Sequence, residues 1–240
     1  MWDNPRLLNA CANLLGGVAG LLFACAGLQL LLGSPLYPLK EVVVQGPLAN
    51  ASRADLENAV QGLGGNFFAV ELDAVRARLE RAPWVRRLEV RRVWPDRIEV
   101  RLEEHVALAR WNDVGLVNSF GETFSGLLDE EREAALPQFA GPVGSAGEVA
   151  RRYRRFAELL APIGESPARV TLTARHAWQL RLASGLELEL GRDGAEPVER
   201  RLERFVAAWP ESLGRLERRY QHVDLRYPNG FALRVLGSGG

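Results

Sequence analysis

From Leu7 to Leu39 the chain has thirty-three residues without a charge, whereas from Lys40 onward charged and apolar positions alternate or recur at helical spacing. As a helix, residues 7–33 would be about 40 Å long, enough to cross a hydrocarbon core of about 30 Å with some tilt. Gly33-Ser34-Pro35 ends the run, and Pro38 keeps the exit extended. The pattern predicts a transmembrane helix over 7–33, a short cytoplasmic segment over 1–6 and soluble domains beyond. The run is too long for a cleaved signal peptide. Leu22-Phe23-Ala24-Cys25 looks like a lipoprotein signal acylated on Cys25, but the bulky Phe23 and the apolar residues past Cys25 argue for an uncleaved anchor. Arg6 and the amino terminus lie before the span and Lys40 after it, which puts the amino terminus inside.

Residues 39–110 read as strand, helix, helix, strand, strand. Glu41-Val42-Val43-Val44-Gln45 is a β-branched run closed by Gly46-Pro47. Ser52 with Asp55 resembles a capping box, opening a helix with Leu56, Val60 and Leu63 on its apolar side. A second helix, 72–81, turns Val75 and Leu79 inward. Leu88 and Val90, then Ile98, Val100 and Leu102, alternate with charged residues on either side of Trp94-Pro95-Asp96, which predicts a hairpin. The charged face carries both signs and reads as solvated.

Residues 111–235 are strand-rich with two helices. Val114–Val117 and Glu122–Phe124 flank Ser119-Phe120-Gly121 as a hairpin, and 136–146 reads as a loop. Strands are expected over 169–173, 178–182 and 186–190, helices over 148–163 and 196–209, and a last hairpin over 223–227 and 231–235 turned by Pro228-Asn229-Gly230. Arg151, Arg152, Arg154 and Arg155 form either the wet face of an amphipathic helix or a contact for an acidic partner or lipid headgroups.

Composition removes several functions. Both cysteines, Cys11 and Cys25, lie in the apolar run, so the soluble region has no thiol to pair, bind metal or attack a substrate. Twenty-nine basic and twenty-nine acidic side chains remain once Asp3 and Arg6 are set aside, giving no electrostatic support for binding nucleic acid. His105, His176 and His222 are dispersed, without metal-ligand spacing. Glu103 and Glu104 are adjacent on a strand and point to opposite faces, so they cannot share a substrate. No cofactor site and no catalytic constellation emerges. Ala12, Gly16, Gly20 and Ala24 recur every fourth residue and form a smooth stripe for a second helix, although such residues are also simply common in membrane helices.

Several segments, in order, carry a family resemblance: Pro83-Trp84-Val85, Arg91-Arg92-Val93-Trp94-Pro95-Asp96-Arg97-Ile98, and Glu104-His105-Val106-Ala107-Leu108-Ala109-Arg110-Trp111. Asn118 to Phe124, Trp178-Gln179-Leu180, Leu190-Gly191-Arg192 and Val223-Asp224-Leu225-Arg226-Tyr227 follow. The whole chain resembles the FtsQ/DivIB family of bacterial cell-division proteins. The resemblance implies an α+β architecture: one transmembrane helix, a POTRA domain of β-α-α-β-β order over 39–110, and a mainly antiparallel β domain with two helices over 111–235. It implies a bitopic, non-enzymatic divisome scaffold in the inner membrane with its domains in the periplasm, enriched at the septum. Implied partners are FtsB and FtsL, then FtsK, FtsW, FtsI and FtsN, with a weak homodimer as a further expectation. The competing reading is an anchored cell-wall or envelope enzyme.

The resemblance further implies that the POTRA domain serves recruitment and that the last strand grips FtsB by strand addition. The residues concerned are Arg226, Tyr227, Asn229, Gly230, Phe231, Ala232, Leu233, Arg234 and Val235. Arg175 and His176 precede the tryptophan-bearing strand; where a family member has arginine, this register has His176, a weaker cation at neutral pH. Leu236 to Gly240 is expected to be a flexible end or an appended remnant.

Overall fold

The computed structural model of the chain describes residues 5–32, 38–60, 66–210, 220–228 and 230–235. Two units divide between Glu104 and His105. Ahead of the first sheet lies α1, Pro5–Leu32. Its stretch Asn9–Leu30 is long and apolar enough to cross a membrane, and Leu14, Leu21, Phe23 and Leu30 point outward from it. An apolar surface of this kind is stable only in lipid or against other helices.

In the first unit β1 (Glu41–Gln45), α2 (Arg53–Val60), α3 (Leu72–Leu79), β2 (Val85–Val93) and β3 (Arg97–Glu104) form a three-stranded sheet in the order β1-β3-β2, together with two helices. β1 is parallel to β3, pairing Val42 with Ile98 and Val44 with Val100, and β2 is antiparallel to β3. Leu56, Val75 and Leu79 from the helices bury Leu88, Ile98, Val100 and Leu102 of the sheet. On the other face the charges pair: Arg91 lies 2.7 Å and Arg101 3.3 Å from the Glu99 carboxylate. The Arg91 hydrogen bond, opposed by burial, holds Glu99 below the usual carboxylate range.

Glu103 and Glu104 separate as the pleat requires. Glu103 accepts from Arg86 at 2.6 Å. The Glu104 carboxylate instead accepts the backbone N–H groups of Ala49, Asn50 and Ala51 at 3.1, 3.0 and 2.8 Å, holding the turn that leads into α2.

The second unit is one nine-stranded mixed sheet in the order β12-β11-β10-β9-β8-β7-β4-β5-β6. In chain order its strands are β4 (Ala107–Trp111), β5 (Gly115–Asn118), β6 (Thr123–Phe124), β7 (Gln138–Ala140), β8 (Pro167–Leu172), β9 (Ala177–Leu182), β10 (Glu187–Arg192), β11 (Tyr220–Asp224) and β12 (Ala232–Val235). A short α4 (Glu130–Ala135) precedes β7; α5 (Ala146–Leu160) and α6 (Val198–Ala208) cover one face. Val149, Phe156 and Leu160 of α5, and Val198, Leu202 and Phe205 of α6, pack on Phe139, Val170, Trp178, Leu180, Leu188 and Val223.

Four expectations change. The segment 136–146 contains β7, because Phe139 is fully buried and lies between β4 and β8 in parallel register. A three-residue strand between Pro137 and Gly141 has little local signal, and its partners decide it. The boundary expected between 110 and 111 would cut β4, which belongs to the large sheet through Trp111 and Arg110. The penultimate strand is Tyr220–Asp224, not 223–227, since from Arg226 the backbone N–H turns from the ladder to the Asp224 carboxylate. Arg152 is not on a wet face: it bonds Glu199 at 2.5 Å and Asp193 at 2.6 Å, and its guanidinium lies 5.2 Å from the centre of the Trp178 ring. Arg151, Arg154 and Arg155 do face solvent.

Replacing Glu104 by alanine strands three backbone donors at once. Glu104→Ala should lower the unfolding free energy by about 1–2 kcal/mol, and Glu104→Gln, which keeps an acceptor, by less; denaturant unfolding of the detergent-solubilised chain measures both.

Candidate partner-binding edge

The large sheet has two edges, and they differ. β6 has two residues, whereas β12 has four and pairs only with β11 among the described residues. The outward-pointing N–H and C=O groups along β12 are thus a template for another strand.

What places β12 begins one strand inward. β11 runs parallel to β10, with Leu188 opposite Val223 and Glu189 opposite Asp224, and the N–H of Leu225 still donates to Glu189 O at 2.9 Å. Asp224 is buried and turns its carboxylate back on the chain. Arg226 donates its backbone N–H to Oδ1 at 3.0 Å, Nε to Oδ1 at 2.9 Å and Nη2 to Oδ2 at 2.6 Å. This pairing, opposed by burial, holds the Asp224 carboxyl below the usual range and pushes the Arg226 guanidinium up.

The Arg226 side chain needs room, which Gly191 provides. Gly191 sits in the β10 bulge at φ +75°, and a Cβ there would lie 2.8 Å from Arg226 Cγ. Both the backbone angle and the contact exclude a larger residue.

Helix α6 fixes the other side. Arg201 donates to the carbonyls of Leu190 at 2.5 Å, Arg192 at 3.0 Å and Glu196 at 3.1 Å, tying the helix to the end of β10. Arg204, paired with Glu196 at 2.7 Å, reaches the Tyr227 carbonyl at 3.3 Å. Phe231 then packs edge-on against Phe205, ring centres 6.1 Å apart. The Asp193 carboxylate ties these parts to α5, accepting from the Val198 N–H at 3.1 Å and from Arg152.

The predicted site residues fall into groups. Arg226, Tyr227, Gly230, Phe231, Ala232, Leu233, Arg234 and Val235 are contiguous along the edge or its approach. Ala232 lies opposite Asp224 and Arg234 opposite His222, on the face away from the helices, while Leu233 pairs with core-facing Val223 and is 39% exposed. Tyr227 is 54% exposed, so its ring is available while its carbonyl is held. Asn229 lies outside the described residues.

Arg175 and His176 are exposed in the β8–β9 turn, with His176 at φ 57°. Registry puts this turn at the sheet end where β12 begins, but β10 and β11 intervene, a separation of about 14 Å at about 4.8 Å per strand. Ala12, Gly16, Gly20 and Ala24 are exposed on α1, with open space beside Gly16 and Gly20. Reading the sequence alone missed Asp224, Gly191, Arg201 and Arg204 as the residues that hold the edge. Asp224 and Arg226 are two apart on an extended segment, and that spacing was the available signal.

Among the described residues, a nine-stranded sheet edged by β12, a POTRA unit and one apolar helix define the class: an α+β POTRA protein with an amino-terminal helix of membrane-spanning length. Residues 37–105 match the FtsQ-type POTRA domain, and residues 109–226 match the carboxy-terminal region of cell division protein FtsQ/DivIB. Cell division protein FtsQ of Burkholderia pseudomallei is 43% identical over 239 residues, 99% of this chain and 95% of the relative. The Nitrosospira multiformis protein of the same name is 41% identical over 98% and 99%, and that of Escherichia coli 34% over 82% and 72%. The chain belongs to the FtsQ/DivIB family of cell division proteins.

A lowered folded pKa means that the unfolded chain takes up protons first, so the stability Asp224 contributes is present above the ordinary carboxylate value of about 3.9 and is lost as pH falls through the lower folded value. Thermal midpoints measured from about pH 6 to about pH 3 should fall with acidity, and Asp224→Asn should be less stable at the upper end and show a flatter profile.

Proposed function

We propose that this chain is a non-catalytic scaffold of the division machinery, spanning the cytoplasmic membrane once and gathered at the septum. Residues 1–6 lie in the cytoplasm, residues 7–33 span the bilayer, and the POTRA domain and β domain stand in the periplasm. The free edge of β12 takes a strand from FtsB, with FtsL alongside, and the POTRA domain serves recruitment through other division proteins such as FtsK, FtsW, FtsI and FtsN.

One observation carries the reading: β12 is an unpaired edge among the described residues and is held in place from both sides, by Asp224–Arg226 and by Phe231 on Phe205. Strand addition draws its affinity from main-chain hydrogen bonds and its specificity from alternate side chains. Ala232 and Arg234 would meet one face of the incoming segment, Phe231 and Leu233 the other. Arg175 and His176 are too far to touch the added strand and would meet an acidic segment of the partner crossing the same end of the sheet. The stripe Ala12, Gly16, Gly20 and Ala24 would supply a second contact between membrane helices.

Ala232→Pro is the cleaner test, since Ala232 is exposed whereas Phe231 contributes to packing on α6. Ala232→Pro and Phe231→Asp should abolish capture of an FtsB periplasmic peptide by the 39–240 fragment, with the circular dichroism of Ala232→Pro unchanged. Capture at wild-type affinity by the proline variant would exclude strand addition at this edge.

A further inference from the structure

The first unit has an apolar end that the proposed scaffold role does not use. Trp94, at the tip of the β2–β3 hairpin, is 75% exposed, whereas Trp84, Trp111 and Trp178 are buried. Phe68, in the turn before α3, is 39% exposed. Arg92 joins the two loops by donating to the carbonyls of Phe67 at 3.1 Å and Val70 at 2.5 Å.

The chain arriving from α1 enters between the same two loops. Pro38 forms a β-bridge with Asn66, and the Lys40 N–H donates to Asp96 O at 2.9 Å. Because β1 is parallel to β3, with Glu41 opposite Arg97, the hairpin tip lies at the end of the sheet where β1 starts. From Leu32, the last residue of α1, to Lys40 is eight residues, so this end cannot be more than about 30 Å from the helix end even if the link is fully extended. A large exposed aromatic held this close to a bilayer has the chemistry of an interfacial anchor, since tryptophan favours the level of the headgroups.

Charge does not oppose the contact. Lys40 pairs with Asp96 at 2.8 Å and Arg97 with Glu41 at 3.3 Å, so these four charges cancel, and the Arg92 guanidinium is turned to the Phe67 and Val70 carbonyls. Tethering lets one weak contact persist, because the surface is always present at high local concentration.

We propose that this end of the POTRA unit rests on the bilayer that holds α1, with Trp94 seated between headgroups and acyl chains and Phe68 beside it. The proposal rests on α1 spanning the membrane. It orients the POTRA unit, leaving the edges of β1 and β2 standing away from the membrane and open to proteins.

The test uses the full chain reconstituted in vesicles, with and without lipids brominated near the headgroup end of their acyl chains. The chain has six tryptophans, so the difference between wild type and Trp94→Phe isolates the one at issue. Expected is a bromine-quenched component that disappears in Trp94→Phe and is equal in zwitterionic and anionic vesicles. Equal quenching of wild type and variant would overturn the proposal, as would quenching that requires anionic lipid. A blue-shifted Trp94 component that bromine does not quench would assign the surface to a second copy of the chain and overturn it too. Resistance of the reconstituted protein to alkaline extraction reports separately on α1, so failure of the anchor and failure of the Trp94 contact give different results.

Discussion

The Asp224 carboxylate accepts both the backbone N–H and the guanidinium of Arg226, and the end of the large sheet depends on that hold. It takes Arg226 out of the ladder immediately after β11, starts the turn toward β12, and lays a long cation across the gap left by Gly191. Without it the chain could continue β11 along β10, and the final strand would lose its starting point. The pair is local in sequence, with Asp224 buried and Arg226 exposed, and the stability it adds is lost as the carboxylate is protonated.

The helices contribute differently. α6 is held to β10 by Arg201 and to α5 through Asp193, Glu199 and Arg152, and it presents Phe205 where Phe231 arrives. The edge is therefore backed by a packed layer, which under the proposed strand addition would leave little to order. An edge left open in this way is ordinarily an aggregation hazard. Here it is four residues long and carries Arg234, both of which limit unwanted pairing.

The proposed interactions of the two soluble units share one economy. A protein fixed to a membrane needs little intrinsic affinity for anything fixed to the same membrane, because the tether supplies local concentration. Under the proposed roles, single strands and single aromatics can then act as contacts.

Much was legible in sequence because it is local. The charge-free run, the alternation in β2 and β3, and the helical spacing in α5 and α6 each report a periodicity that burial on one face imposes. The ordered motifs, ending in Val223-Asp224-Leu225-Arg226-Tyr227, also pointed to the family. Tertiary structure decided what depends on partners far along the chain. Phe139 forms a strand because β4 and β8 flank it, and Arg152 is half-buried because Asp193, Glu199 and Trp178 hold it. That β12, and not β11, ends the sheet follows from a parallel β10–β11 pairing that no local pattern encodes. Periodicity tells which face of an element is buried; the element it is buried against is chosen by long-range register, and the open edge is what that choice leaves unpaired.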